Sequence, residues 1–456
     1  MTDDKKRIWG WMFFDWAQQP YFTLGLTFIF GPYFAFVASQ YFVTTGLEVE
    51  AAKAQSQSLW TLGQTIAGLI IAVSAPILGA WADASGRKMV WIGAFSVVYV
   101  ICAALLWGLL PDGTGLMFTL VVFWIGFIAA ESALNINNAM LPGLADDNQI
   151  GRISGSGAAF GYWGGVLSLI LMLLIAENES GKTLIGMAPP FGLNPDLREG
   201  TRAVGPFIAI WCVIFIVPFL LWNREPRTAA RPVSLAEIWR GVVNTIADCF
   251  KRRSLGNFML SSMLYRDALN ALYSFGGVYA ALVLGWQTIQ IGVFGIVAAI
   301  AAAIVTYIGG LYDQKVGPMP VIKVSCAVLV VVSIIVVGMS RQALFGFPLP
   351  AGSLIPDIIF YICGAAIGGA GGSIYSASRT MMVRHTHPDR PGEAFGLFAL
   401  TGRATAFLAP ALISLFTYTT GNVQLGFLPV IGLFLIGLFL LRYVNKDGDR
   451  AQWSAS

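Results

Sequence analysis

Only 11% of the 456 residues are charged and 56% are hydrophobic, whereas a soluble domain carries about 25% charge, so the composition excludes a water-soluble globular protein. The formal net charge of +4 is small for this length, and the basic residues lie between apolar segments instead of forming one stripe, which excludes nucleic acid as a partner. Five cysteines (Cys102, Cys212, Cys249, Cys326, Cys363) stand singly, with no CxxC pair or disulfide-like spacing, and read as core or lipid-facing thiols.

The chain opens MTDDKKR and runs into WGWMFFDWAQQPYF. Asp15 interrupts that apolar stretch and no small-residue cleavage site accompanies it, so it is not read as a signal peptide. A bilayer core of about 30 Å needs roughly 20 mostly apolar residues per helix. Twelve such runs follow one another, at 12–42, 58–82, 89–110, 115–138, 157–176, 204–222, 256–284, 288–311, 320–340, 354–383, 394–418 and 424–443. Several exceed the minimum, which implies tilt or extension beyond the membrane.

Cytoplasmic loops retain Lys and Arg. With the N-terminus inside, five of the 28 basic residues fall on the opposite side (Lys53, Lys182, Arg198, Arg202, Arg341) and four in or at the edge of spans (Arg266, Lys323, Arg379, Arg403), leaving 19 cytoplasmic. This predicts a multi-pass inner-membrane protein with both termini cytoplasmic. The longest cytoplasmic segment, 223–255, divides a six-span half at 1–222 from a second at 256–456. Within it, Ser234 and Glu237 form a capping box, and Leu235, Ile238, Trp239, Val242, Ile246 and Phe250 recur at helical spacing. That pattern predicts an amphipathic helix, lying on the membrane face or packed against the two halves.

The halves repeat each other. GAWADASGRK from Gly79 and GGLYDQKVG from Gly309 place Gly79 and Asp83 opposite Gly309 and Asp313 at a common offset. Asp15, Gln18 and Tyr21 on span 1 have counterparts in Asp267, Asn270 and Tyr273 on span 7, each set three residues apart and so near one helix face. Gly151, Gly155 and Gly161 recur as Gly392, Gly396 and Gly402. Three matches in the right order favour duplication, and many transporters are built from such repeats with a site between them.

Gly79 allows close helix approach, Asp83 stands at a helix end, and Gly86, Arg87 and Lys88 follow on the inner face, which suits a latch. The run resembles the loop signature of the major facilitator superfamily, with Ala84 where that pattern usually has Arg. A finer resemblance is carried by FFDWAQQPY, by NAMLPGLADDNQIGRISGSGAAFGYWGG, by LYRDALNALY, and by GGSIYSASR with EAFGLF and GRATAFLAP. These segments look like the vacuole-effluxer-like family, with Gln18 and Gln19 in place of its usual Asn-Ser and Arg403 where Lys is common. The resemblance implies an all-α membrane protein of the major facilitator fold, with twelve transmembrane helices in two pseudo-symmetric six-helix bundles. It also implies efflux of amino acids or similar small metabolites, with spans 1, 4, 7 and 10 lining a central cavity.

An ionisable group inside a span costs about 2.5 to 3.5 kcal/mol at the helix centre, so it should face protein or water. Asp15, Glu131, Arg266, Asp267, Arg379 and Arg403 are such groups, on spans 1, 4, 7, 7, 10 and 11. Each reads either as a structural ion pair or as part of a substrate or coupling site. Arg266 and Asp267, consecutive and about 100° apart on a helix, cannot simply neutralise each other, so at least one needs another partner. A carboxylate in a dry cavity suits proton coupling. Arg379 suits an anionic substrate group, with Tyr265, Tyr375, Asn135 and Asn138 as neighbours; Gln18 and Asn270 complete the expected polar set. His385 and His387 lack a third ligand and read as solvated loop residues instead of a metal site. Gly155, Gly157 and Gly161 lack the GxGxxG spacing of a nucleotide loop and read as helix-packing positions.

The expectation is a secondary transporter of a small polar solute working by alternating access, with protons as the coupling partner and no cofactor. The spans contain no HExxH, GxSxG or nucleophile-base pairing, so an enzyme is not expected. A non-transporting receptor on the same fold is the alternative.

Overall fold

The computed structural model describes residues 2–178, 181–223, 239, 240, 243, 246, 247, 251–286, 288–350, 352–422 and 424–449. Most of the linker lies outside them, including Cys249 and the predicted capping box and helix positions Ser234, Leu235, Glu237, Ile238, Val242 and Phe250.

With no water in the bilayer core to satisfy backbone polar groups, each apolar run must bond its own amides and form a helix. Eleven described helices are long and apolar enough to cross a membrane: α1 Asp3–Thr44, α2 Val49–Ser85, α3 Lys88–Gly108, α4 Leu116–Gly143, α5 Asp147–Leu173, α6 Glu199–Trp222, α8 Gln290–Val316, α9 Pro318–Val337, α10 Ile355–His385, α11 Pro391–Thr420 and α12 Leu425–Tyr443. A further 32-residue helix, α7 Arg253–Leu284, occupies the place of the seventh span. Each overlaps a predicted run. The 37 residues of α2 rise about 55 Å, well beyond the bilayer core.

Proline accounts for the interruptions of α1 and α11. Pro20 has no N–H to donate and its ring crowds the preceding turn, and α1 passes into a π-helix over Tyr21–Phe28 before resuming as Phe30–Thr44. In α11, Pro391–Ala404 and Leu408–Thr420 are separate helical pieces. Pro410, in the first turn of the second piece, cannot bond the carbonyl four residues back, so the ladder stops there. After α11, Gly421 takes the left-handed φ of +63° that closes a helix end.

By compactness the chain divides into one unit of residues 1–74, 85–137 and 160–230 and another of 75–84, 138–159 and 231–456. In the first, α1 and α4 run antiparallel: Trp11 Nε1 donates to the Asn137 carbonyl at 2.9 Å and Tyr21 Oη to that of Phe123 at 2.7 Å. Trp60 packs against Phe34, Phe123 and Trp124 at centroid distances of 5.2, 4.9 and 5.1 Å. α5 presses its glycines onto α1, since an added Cβ at Gly161 would stand 3.2 Å from Asp15 Cβ and one at Gly165 2.6 Å from Thr23 Oγ1. These are the close approaches that small residues permit between membrane helices.

In the second unit, Ser261 Oγ ties α7 to the Gly437 carbonyl of α12 at 2.7 Å, and Tyr279 Oη ties it to that of Val336 on α9 at 2.7 Å. A short hairpin, β1 Ala343–Leu344 with β2 Phe347–Pro348, joins α9 to α10. Arg341 braces it against Asp357 at 2.6 Å. From the linker, Ile246 packs, as Ile77 does, against Ala80 of α2, so this position of the predicted apolar face meets protein.

His385 corrects the sequence reading. It is the last residue of α10 and is buried, with Nδ1 donating to the Met381 carbonyl at 3.0 Å and Nε2 2.8 Å from Ser254 Oγ. A neutral imidazole bonded at both nitrogens can be buried, which the sequence, placing it beyond the apolar run, does not reveal.

Candidate functional site

Three groups of predicted residues come together in the second unit. The first surrounds Asp83. Pro391 supplies no amide, so Gly392 and Glu393 carry the leading free donors of α11, and Asp83 Oδ2 accepts from them at 2.6 and 3.1 Å. A carboxylate at a helix N-terminus also meets the positive end of the helix dipole, worth about 0.3 to 2 kcal/mol. The approach depends on glycine: an added Cβ at Gly79 would lie 2.1 Å from the Gly392 carbonyl oxygen. Beyond Asp83, Gly86 turns the chain with a φ of +61°, and Arg87 and Lys88 lead into α3.

The repeat-related position is Asp313. It is buried against the start of α5, where a Cβ on Gly151 would lie 2.4 Å from its Cγ. Gly155 and Gly310 meet backbone to backbone, an added Cβ on Gly155 falling 2.4 Å from Gly310 Cα. Gly151, Gly155 and Gly161 thus meet Asp313, Gly310 and Asp15, while Gly392, Gly396 and Gly402 meet Asp83, Ala75 with Pro76, and Arg266. Equivalent glycines meet equivalent helices, as duplication requires. The two aspartates are not equivalent in bonding, because only Asp83 accepts main-chain hydrogen bonds among the contacts of the described residues.

The second group centres on Arg379. Its side chain is 1% exposed, donating from Nη1 to Asn138 Oδ1 at 3.0 Å and from Nη2 to the Ser154 carbonyl at 2.8 Å. The guanidinium carbon stands 5.4 Å from the Tyr375 ring centroid. Arg379, Asn138 and Tyr375 therefore come together. Tyr265 instead bonds Ser378 at 2.7 Å.

The third group answers how Arg266 and Asp267 are accommodated on one helix. Arg266 Nη1 donates to the Phe398 carbonyl in the first piece of α11 at 2.9 Å, with its guanidinium 4.3 Å from the Phe398 ring and packed against Gly402. Asp267 Oδ2 accepts the Ala409 amide at 2.9 Å, in the first turn of the second piece. Consecutive opposite charges thus bracket the break, the cation on the carbonyl-bearing piece and the anion at an N-terminus. Arg403 lies in the last turn of the first piece. This arrangement was hidden from the sequence because the partners are backbone groups; Pro410 in GRATAFLAP was the available signal.

The remaining predicted residues lie on three helices. Asp15 and Gln18 are buried on α1, Glu131 and Asn135 half-buried on α4, and Asn270 exposed on α7.

The profile of the family described as vacuole effluxer Atg22 like matches residues 3–453. The chain belongs to the vacuole effluxer Atg22-like family. It is 22% identical over 443 residues to the MFS-type transporter YxiO of Bacillus subtilis, covering 96% of this chain and 94% of that one. It is 23% identical over 312 residues to autophagy-related protein 22 of Cryptococcus neoformans, and this alignment takes in 66% of the chain but only 51% of the fungal protein. The human organic anion transporter MFSD10 superposes over 97% of the chain and 100% of its own, with a TM-score of 0.67 at 14% identity. The proton:xylose symporter XylE superposes over 99% and 98%, with a TM-score of 0.68 at 14% identity.

This Atg22-like chain therefore has the major facilitator fold of twelve transmembrane helices in two pseudo-symmetric six-helix bundles, and it is a membrane transporter and not an enzyme. Within that frame, the Asp83 and Asp313 contacts join the ends of α2 and α8 to the starts of α11 and α5.

Proposed function

We propose that this transporter moves an amino acid or a related small polar metabolite by alternating access across a bacterial-type inner membrane, with both termini cytoplasmic and protons as the coupling ion. The halves 1–222 and 256–456 act as the moving bodies, joined by the linker at 223–255. Arg379 holds an anionic group of the solute. Asp15, Glu131 and Asp267 are the carboxylates available to hold a cationic group or carry the proton, with Gln18, Asn135, Asn138, Asn270, Tyr375 and Arg403 as further polar groups of the pathway. Gly79, Asp83, Gly86, Arg87, Lys88 and Asp313 form the inner gate.

The observation that carries the substrate reading is the burial of the Arg379 guanidinium among the Asn138 amide, the Ser154 carbonyl and the Tyr375 ring. Taking such a charge out of water costs several kcal/mol, so the guanidinium must be held by directed contacts. A planar guanidinium can take a bidentate carboxylate by exchanging these partners for it. Uptake or efflux of labelled amino acids by proteoliposomes, with and without a pH gradient, tests the reading. Solute flux that is saturable and driven by the gradient is expected. Binding without flux would instead match a receptor, and flux restricted to uncharged solutes would remove Arg379 from the site.

A further inference from the structure

The segment joining α5 to α6 carries a surface that water does not favour. Thr183 is buried, and its N–H and hydroxyl both donate to the Met187 carbonyl, at 2.8 and 3.1 Å, while the Gly186 amide donates to the Thr183 carbonyl at 2.8 Å. This closes a tight turn over 183–187. The turn projects Leu184, Ile185 and Met187 outward, all at least 60% exposed. Shortly after, Phe191 is 89% exposed, on a backbone with φ of +63° that side chains other than glycine adopt at a cost. Four large apolar side chains within eight residues form a cluster that soluble surfaces rarely display.

The position of the turn identifies what covers it. The Leu184 amide donates to the carbonyl of Leu173, the last residue of α5, at 3.2 Å. Along the final turns of α5, Trp163, Leu167, Ile170 and Leu171 are exposed at the spacing of a single helix face. On a helix that spans a membrane, an exposed apolar stripe of this kind is a surface that hydrocarbon can cover. The exposed apolar residues of the turn therefore continue a lipid-facing surface past the end of the helix, at the depth where hydrocarbon gives way to headgroups. Lys182, exposed beside the turn, can lay its alkyl stem along apolar surface and place its ammonium among lipid phosphates.

We propose that residues 182–191 are an interfacial anchor: Leu184, Ile185, Met187 and Phe191 insert into the headgroup and acyl boundary of the bilayer, with Lys182 at the phosphate level. The anchor holds the α5–α6 connection against the membrane, so that this end of α5 is fixed at one depth. The partner is the lipid surface itself, not a soluble protein.

The test uses the full chain in phosphatidylcholine proteoliposomes. Ile185→Cys and, separately, Phe191→Cys are labelled with an environment-sensitive fluorophore, with the identically treated natural chain as the background to subtract. Asp196→Cys, at an exposed polar position of the same connection, is the aqueous reference. The expected result is blue-shifted emission at 185 and 191, quenched several-fold more by phosphatidylcholine spin-labelled near the headgroup than by aqueous iodide, with the reverse order at 196. Iodide quenching at 185 and 191 equal to that at 196 would overturn the proposal. So would shielding from both quenchers with cross-linking between copies, which would make the surface a contact between two chains. Two label sites keep the result interpretable if one variant fails to insert.

Discussion

Asp83 Oδ2 lies 2.6 Å from the Gly392 amide, and the same oxygen takes the neighbouring Glu393 amide at 3.1 Å. One carboxylate at the end of α2 therefore caps the start of α11, a helix more than three hundred positions later in the chain. Proline at 391 and glycine at 79 and 392 are what make this possible, the first by removing a competing donor and the others by removing the Cβ atoms that would hold the helices apart. Because the bond is made to a helix terminus, it can be broken and remade by rigid motion without unfolding either helix.

Asp83→Asn should accordingly slow the transport cycle more than it weakens substrate binding. The amide oxygen still accepts a hydrogen bond, but the charge that faces the helix dipole is gone, a change of about 0.3 to 2 kcal/mol. Flux into proteoliposomes should fall while ligand affinity, measured on purified protein, changes by less than about tenfold, or 1.4 kcal/mol. Equal loss of binding and flux would place Asp83 in the substrate site and end the latch reading.

Gly155 offers a steric counterpart. An added Cβ would stand 2.4 Å from Gly310 Cα, and backbone cannot swing aside as a side-chain tip can. Gly155→Ala should force α5 and α8 apart at this end, at a cost of about 1 to 3 kcal/mol. Hydrogen exchange in peptides spanning 306–316 should accelerate and the thermal transition should drop. Unchanged exchange there would mean that the glycine contact does not hold the helices together.

The elements of this architecture that sequence reveals are those averaged over many residues. Hydropathy located twelve runs, each overlapped by a described helix, and the offset between Asp83 and Asp313 announced a duplication that the glycine contacts repeat in three dimensions. Short-range events escaped that averaging. The π-helix after Pro20 and the break before Pro410 each lie inside one long apolar run, where a 20-residue window sees only hydrophobicity. His385 was misread because burial of a neutral imidazole depends on the Ser254 hydroxyl, more than a hundred positions earlier. The Arg266–Asp267 pair posed a problem that side-chain matching alone could not solve, since the Phe398 carbonyl and the Ala409 amide are among the partners.

Topology is checked by labelling. Cysteines introduced at Lys53 and Lys182 should react with a membrane-impermeant reagent from outside the cell, and those at Arg87 and Arg252 should not, because 19 of the 28 basic residues are assigned to the inner side. Reaction at position 252 from outside would invert the orientation.

Arg379→Ala should abolish transport while leaving a folded protein in the membrane, and Arg379→Lys should restore little of it. Lysine carries the charge but cannot reach Asn138 Oδ1 and the Ser154 carbonyl together in the fork geometry that the guanidinium uses at 3.0 and 2.8 Å. In the structure described here those neutral groups occupy the donors that a solute carboxylate would claim, so binding must exchange partners. Substrate affinity measured by thermal shift should fall at least tenfold in both variants. Transport at the natural rate in Arg379→Ala would leave the residue a purely structural one.

Arg266 and Asp267 yield the most local prediction. Asp267 Oδ2 holds the Ala409 amide and Arg266 Nη1 the Phe398 carbonyl, so α7 grips α11 on both sides of its break. Asp267→Asn keeps an acceptor but removes the charge at the N-terminus of the Leu408–Thr420 piece, and Asp267→Ala removes both. Loss of such a cap generally costs about 0.5 to 2 kcal/mol, which is about 2- to 30-fold in local opening. Hydrogen exchange of peptides covering 405–412 should rise by that factor in the Ala variant and by less in the Asn variant, with peptides from α9 and α12 unchanged. If the same carboxylate carries the coupling proton, Asp267→Asn should also retain solute exchange across the membrane but lose accumulation driven by a pH gradient. Gradient-driven transport at the natural rate together with altered exchange at 405–412 would assign Asp267 to the hinge alone. Unaltered exchange at 405–412 would show that the break in α11 is held by something other than this carboxylate.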